Sequence, residues 1–141
     1  MYEYKCKILR VVDGDTIDVD IDLGFGIWKR GERVRVIGID TPESRTKDLT
    51  EKKFGIAAKD FVKGLLPIGS AQIIKTHKDE TGKFGRILGD FVLPNDKLLS
   101  AHMIENYHAV AYNGENKEDV KELHMLNRNK LLESGIVKLE D

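Results

Sequence analysis

The chain has 141 residues, of which 40% are apolar and 33% charged, a balance that excludes a disordered polypeptide and suits one domain with its own core. Its single cysteine, Cys6, excludes an intrachain disulfide, and no stretch is long and apolar enough for a membrane span. A net charge of −1 and a pI near 6.4 argue against tight non-specific binding to a nucleic-acid backbone, which basic proteins usually supply.

The N-terminal stretch alternates apolar and polar residues and lacks the apolar core of a signal peptide. A cytoplasmic protein is therefore expected, or a secreted one if an export signal has been removed. Residues 4–12 read as a first strand. Residues 15–23 give the clearest period of two, with Ile17, Val19, Ile21 and Leu23 on one face and Asp18, Asp20 and Asp22 on the other. Asp15 shares the parity of the apolar face, so it is expected to point inward at the start of this strand. The Asp18, Asp20 and Asp22 row reads as a solvated face, which would also repel nucleic acid. Gly24, Gly26 and Gly31 mark turns, and residues 33–39 resume as a strand, giving a long twisted hairpin. Phe25 and Trp28 near its tip suit either an exposed contact patch or a cover for the barrel end.

Residues 50–66 carry the helical stripe Phe54, Ala57, Ala58, Phe61, Val62, Leu65 and Leu66, with Thr50 as N-cap and Pro67 and Gly69 as stops. Residues 71–77 and 86–93 read as strands joined by a glycine-rich turn over 79–85. A short helix is expected near 97–106, and Asn116 caps a last helix running to about Ser134. Three strands, a helix, two strands and further helices do not alternate as βαβ units do. The pattern predicts an α+β protein, an OB-fold five-stranded β-barrel with three α-helices, as a single domain over residues 1–141.

Charged residues at strand ends carry the chemistry. Asp13, Asp15, Asp40 and Glu43 are hard oxygen donors, suited to Ca²⁺ or Mg²⁺ rather than zinc. An EF-hand starting at Asp18 is excluded, because Leu23 and Lys29 fall where its glycine and its bidentate acid belong. The four histidines show no paired ligand spacing. Asp13-Gly14-Asp15 also suits a plain turn, and Asp40-Thr41-Pro42-Glu43 a strand exit or helix cap. Arg35 and Arg86 each suit a surface position, but together they could clamp a phosphodiester and stabilise charge building on phosphorus. Arg35 and Asp40 fall on opposite faces of an ideal strand, so a bulge or twist is expected near Gly38.

Asp13-Gly14-Asp15-Thr16, Arg35 with Asp40-Thr41-Pro42-Glu43, and Lys83-Phe84-Gly85-Arg86 resemble the three signature blocks of the staphylococcal nuclease family, in that family's order. The similarity runs from about Lys7 to Gly135. It implies an OB-fold barrel and a Ca²⁺-dependent phosphodiesterase acting on DNA and RNA and leaving 3′-phosphate ends. By resemblance, Asp15 and Asp40 would bind Ca²⁺ through carboxylates and Thr41 through its carbonyl, with Asp13 as an outer support. Glu43 would activate water, Arg35 and Arg86 would hold the phosphate, and Lys83, Phe84 and Tyr112 would contact substrate. Phe84 stands where the family often has tyrosine, and Gly114 replaces a second substrate-side tyrosine, so base stacking is expected to be weaker. The hairpin over 16–34 is longer than in the best-known secreted member. A monomer without membrane association is expected. The alternatives are a non-catalytic OB-fold module that binds nucleic acid without turnover, and a protein-interaction domain using the acidic hairpin face.

Overall fold

The computed structural model describes residues 2–81, 86–114 and 116–139, with the backbone alone for 78–81. Five strands close into a barrel: β1 (Tyr2–Asp13), β2 (Thr16–Gly24), β3 (Ile27–Val36), β5 (Ala71–Thr81) and β6 (Ile87–Val92). Their order around the barrel is β1-β2-β3-β6-β5. All neighbours are antiparallel except β3 and β6, which run parallel with Arg35 opposite Leu88 and close the barrel. This is the expected OB-type α+β fold. Two further strands of two residues each, β4 (Ile39–Asp40) and β7 (Val110–Ala111), pair with each other beside it. Pattern reading missed them, because two residues carry no period.

The period of two in β2 does fill the barrel: Ile17, Val19 and Ile21 are buried with Ile8, Val34, Val36, Ile74 and Phe91. Helix α1 (Leu49–Leu65) seals one end by adding Ala58, Val62 and Leu66 to the same core. Each fully buried aliphatic side chain contributes roughly 1.5–3 kcal/mol relative to exposure. The N-cap of α1 is Asp48 rather than Thr50. Its carboxylate accepts from the N–H groups of Thr50 and Glu51 at 3.0 and 3.1 Å, a stronger cap than a hydroxyl two residues too late. Helix α2 (Leu99–Glu105) has no cap of its own. Asp90 of β6 supplies one by accepting from Ser100 N at 3.1 Å. Helix α3 (Lys117–Glu133) starts at Asn116 as expected, with Asn116 Oδ1 accepting from Glu118 N at 3.0 Å. Leu131 and Val137 join Phe54 of α1 in a second small cluster, which fixes α3 beside the barrel.

The hairpin differs from its reading in two ways. Its turn is confined to Phe25-Gly26, and Gly31 lies inside β3, where a register shift between Val19 and Ile21 absorbs it. The aspartate row is not solvated either. Asp18 bonds both Arg10 and Arg33 at 2.8 and 2.9 Å, and Asp20 takes Arg30 at 3.0 Å and Gly31 N–H at 2.8 Å. Asp22 accepts from Gly24 N at 2.8 Å. Arginines from the neighbouring strands thus neutralise the face that alternation alone presents as acidic. At the tip Phe25 is fully exposed and Trp28 partly so, stacked beneath Arg30 at 5.0 Å, so neither covers the barrel end. Cys6 is buried, and burial pushes its thiol up to about 12, as suits an inert core residue.

Candidate active site

Three chain reversals at one end of the barrel bring the predicted acids and an arginine together. The first is the two-residue turn Gly14-Asp15 between β1 and β2. Asp15 therefore sits in the turn rather than inside β2, half-buried, and its carbonyl accepts from Val36 N at 2.9 Å. Gly14 packs against α1 and Thr41. A Cβ there would stand 3.0 Å from Ala58 Cβ and 3.2 Å from Thr41 Oγ1.

The second reversal follows β3. Gly38 adopts φ +80°, a backbone state costly for any residue with a Cβ, and the chain turns instead of bulging. This resolves the parity conflict, since Asp40 re-enters on the side of Arg35. Arg35 spans its own turn, donating from Nη1 to Val36 O at 2.7 Å and from Nη2 to Ile39 O at 2.8 Å. The same Nη2 stands 3.5 Å from Asp15 Oδ2 and 3.8 Å from Asp40 Oδ1. Two carboxylates thus face one guanidinium that is held rigidly by carbonyls.

The third reversal carries Thr41 to Asp48 onto α1. Gly55 makes this close approach possible, because a Cβ there would fall 2.2 Å from Glu43 O and 2.5 Å from Ser44 N. Glu43 N also donates to Glu51 Oε2 at 3.1 Å. The backbone of Glu43 is therefore fixed while its side chain remains exposed. Asp13 lies behind, with Oδ1 accepting from Ser44 N and Gly14 N, both at 3.3 Å. Burial raises the Asp13 pKa; hydrogen bonds from Ser44 and Gly14 oppose the rise and the charge of Asp15 adds to it.

Helix α3 supplies partners that sequence reasoning passed over. His124 Nε2 bonds Asp40 Oδ2 at 2.9 Å, and Lys117 Nζ stands 3.4 Å from Asp40 Oδ1. Burial alone would raise the Asp40 pKa. The His124 bond and the Lys117 charge outweigh it and hold the carboxyl below the usual range. A lone histidine and a helix-start lysine carry no spacing signal; the docking of α3, through Leu131 against Phe54 and through Asn127 Nδ2 donating to Ala109 O at 3.0 Å, brings them here.

Two depressions meet at the Arg35–Asp40 contact. One, of about 420 Å³, is lined by Asp40, Glu43, Glu51, Lys117, His124 and Arg128. The other, of about 410 Å³, is lined by Arg35, Gly38, Arg86, Leu88, Tyr112 and Asn113. Arg86 and Tyr112 line the same depression as Arg35, with Tyr112 N donating to Gly38 O at 2.8 Å. Lys83 and Phe84 lie outside the described residues.

The donor set suits a hard divalent cation. Asp15 and Asp40 offer carboxylates on one side of Arg35, and Thr41 Oγ1 is buried without a hydrogen-bond partner among the described residues. No group of three or more histidine, cysteine, aspartate or glutamate side chains converges among the described residues. Two carboxylates completed by carbonyls, water and a phosphate match the open coordination of Ca²⁺ or Mg²⁺.

The chain is an OB-type barrel carrying acids and arginines at its rim. Residues 33–131 match the family of staphylococcal nuclease homologues, and the chain belongs to that family. It is 35% identical over 86 residues to the thermonuclease of Staphylococcus hyicus, covering 61% of this chain and 47% of that protein. It is 30% identical over 118 residues to Protein ParB of Escherichia coli, covering 78% of this chain and 58% of that protein. It is also 28% identical over 115 residues to Endonuclease YhcR of Bacillus subtilis, covering 78% of this chain but 9% of that protein. The chain thus spans about half the length of the thermonuclease and a small part of YhcR. No helix among the described residues is long and apolar enough to cross a membrane.

Proposed function

We propose that this chain is a Ca²⁺-dependent phosphodiesterase that hydrolyses DNA and RNA and leaves 3′-phosphate ends. The observation that carries the reading is the convergence of Asp15 and Asp40 on Arg35, within 4 Å, beside a depression lined by Asp40 and Glu43. Asp15 and Asp40 would hold the cation through their carboxylates and Thr41 through its carbonyl, while Asp13 steadies the turn behind them. When bound there, a divalent cation would neutralise phosphate charge and orient water. Arg35 and Arg86 grip the non-bridging phosphate oxygens and stabilise the charge that grows as phosphorus becomes five-coordinate. Glu43 takes a proton from the attacking water as its oxygen bonds to phosphorus. The bond to the 5′ oxygen breaks, and that oxygen leaves with a proton from solvent. Lys83, Phe84 and Tyr112 contact the neighbouring nucleotide.

The test is cleavage of an end-labelled single-stranded oligonucleotide in millimolar Ca²⁺, with product ends identified. Activity should vanish with chelator and fall ~10²–10⁴-fold in Glu43→Gln, the usual yield of a positioned general base. Binding of the oligonucleotide without turnover, unchanged in Glu43→Gln, would instead identify a non-catalytic module.

A further inference from the structure

We propose that Arg10, Arg45 and Lys59 form a second phosphate subsite, which seats the nucleic-acid strand beyond the phosphate being cleaved. The inference rests on the phosphodiesterase reading above. These three cations line a depression of about 180 Å³ floored by Val11 and Val12, and no acid lines it. The side chains of Arg45 and Lys59 have no ion pair or hydrogen bond among the described residues. Arg10 does pair with Asp18, but Asp18 is shared with Arg33, so one carboxylate faces two guanidinium groups. The depression therefore carries an excess of positive charge on a chain whose net charge is −1.

Its position fits a strand passing the candidate active site. Val12 immediately precedes Asp13, and Arg45 follows Ser44, whose N–H bonds Asp13 Oδ1 at 3.3 Å. The Asp13–Ser44 contact thus joins the two chain segments that carry the depression, at the residues that lead on to Asp15 and follow Glu43. On the other side of Glu43 the larger depression is lined by Asp40, Asp48, Glu51 and Glu118 as well as its cations. Those acids disfavour a second phosphate there. A single strand carries one charge per nucleotide, so its next phosphates find their best partners at Arg10, Arg45 and Lys59.

The test compares wild type with Arg45→Ala/Lys59→Ala, two exposed or half-exposed positions with no partner to lose. Affinity for a fluorescent oligothymidine is measured in chelator across a salt series, and kcat/KM is measured in Ca²⁺ on thymidine carrying a single nitrophenyl phosphodiester. Each phosphate contact on single-stranded DNA adds roughly 0.7 to the slope of log K against log salt. The double variant should therefore lose about 1.4 from that slope and on the order of 10-fold in affinity at low salt. Its kcat/KM on the mononucleotide ester should equal wild type, because that substrate has no second phosphate. An unchanged slope, or an equal loss on the mononucleotide ester, overturns the subsite. If wild type cleaves neither substrate while the slope still falls in the variant, the subsite stands and the phosphodiesterase reading fails.

Discussion

Asp40 is the residue on which the site turns, because three basic side chains from two parts of the chain converge on one carboxylate. Arg35 is fixed by the carbonyls of its own turn, and His124 is mostly buried against the second oxygen. Lys117 differs, being largely exposed and reaching Asp40 Oδ1 at 3.4 Å across solvent. Exposed pairs of this kind are worth about 0.2–1 kcal/mol, so removing Lys117 costs the fold little. It does remove a positive charge from the oxygen proposed to hold the cation. Lys117→Gln should therefore bind Ca²⁺ about 2- to 5-fold more tightly in a calorimetric titration, with a thermal midpoint close to wild type. A weaker affinity would mean that Lys117 organises Asp40 instead of competing for it.

The elements matter through where they touch, and α1 shows this at Gly55. The 43–44 peptide lies so close to the helix that a Cβ at Gly55 would fall 2.2 Å from Glu43 O. Gly55→Ala improves helix propensity by roughly 1 kcal/mol, so an isolated helix would gain from it. In this fold the peptide must be pushed away, and Glu43 would move with it. We expect Gly55→Ala to lower kcat by at least ~10²-fold, with KM little changed, since displacement of about 1 Å can cost that much. The barrel, the three helices and the inventory of acids and arginines were legible in the sequence, because period, caps and charged strand ends are local signals. Gly55, Glu51 and His124 were not, because each acts on a residue far along the chain or across a helix packing. Gly38 lay between these cases. The parity conflict between Arg35 and Asp40 demanded a break there, but not whether it would be a bulge or a left-handed turn.

For the whole molecule, one pH-sensitive contribution to stability lies away from the site. His108 is buried against the Phe61 ring at 4.6 Å, and its Nδ1 has no hydrogen-bond partner among the described residues. Burial lowers its pKa from 6.5 to about 4, so the fold holds it neutral. The unfolded chain binds a proton at His108 near pH 6.5, whereas the folded chain resists until about 4. Stability is therefore complete above pH 6.5, falls as pH drops through that window, and levels off below about 4. The loss attributable to this residue is about 3 kcal/mol, from 1.36 kcal/mol per unit of pKa difference. Asp40, whose folded pKa is depressed, adds a loss of the same sign at more acid pH. His108→Leu keeps an apolar group of similar size against Phe61 and removes the proton site. Urea unfolding of wild type between pH 7 and pH 4, without divalent cations, should show the steeper decline, and the two proteins should differ most near pH 4. Parallel curves over that range would show that His108 gains a proton in the folded protein as readily as in the unfolded chain.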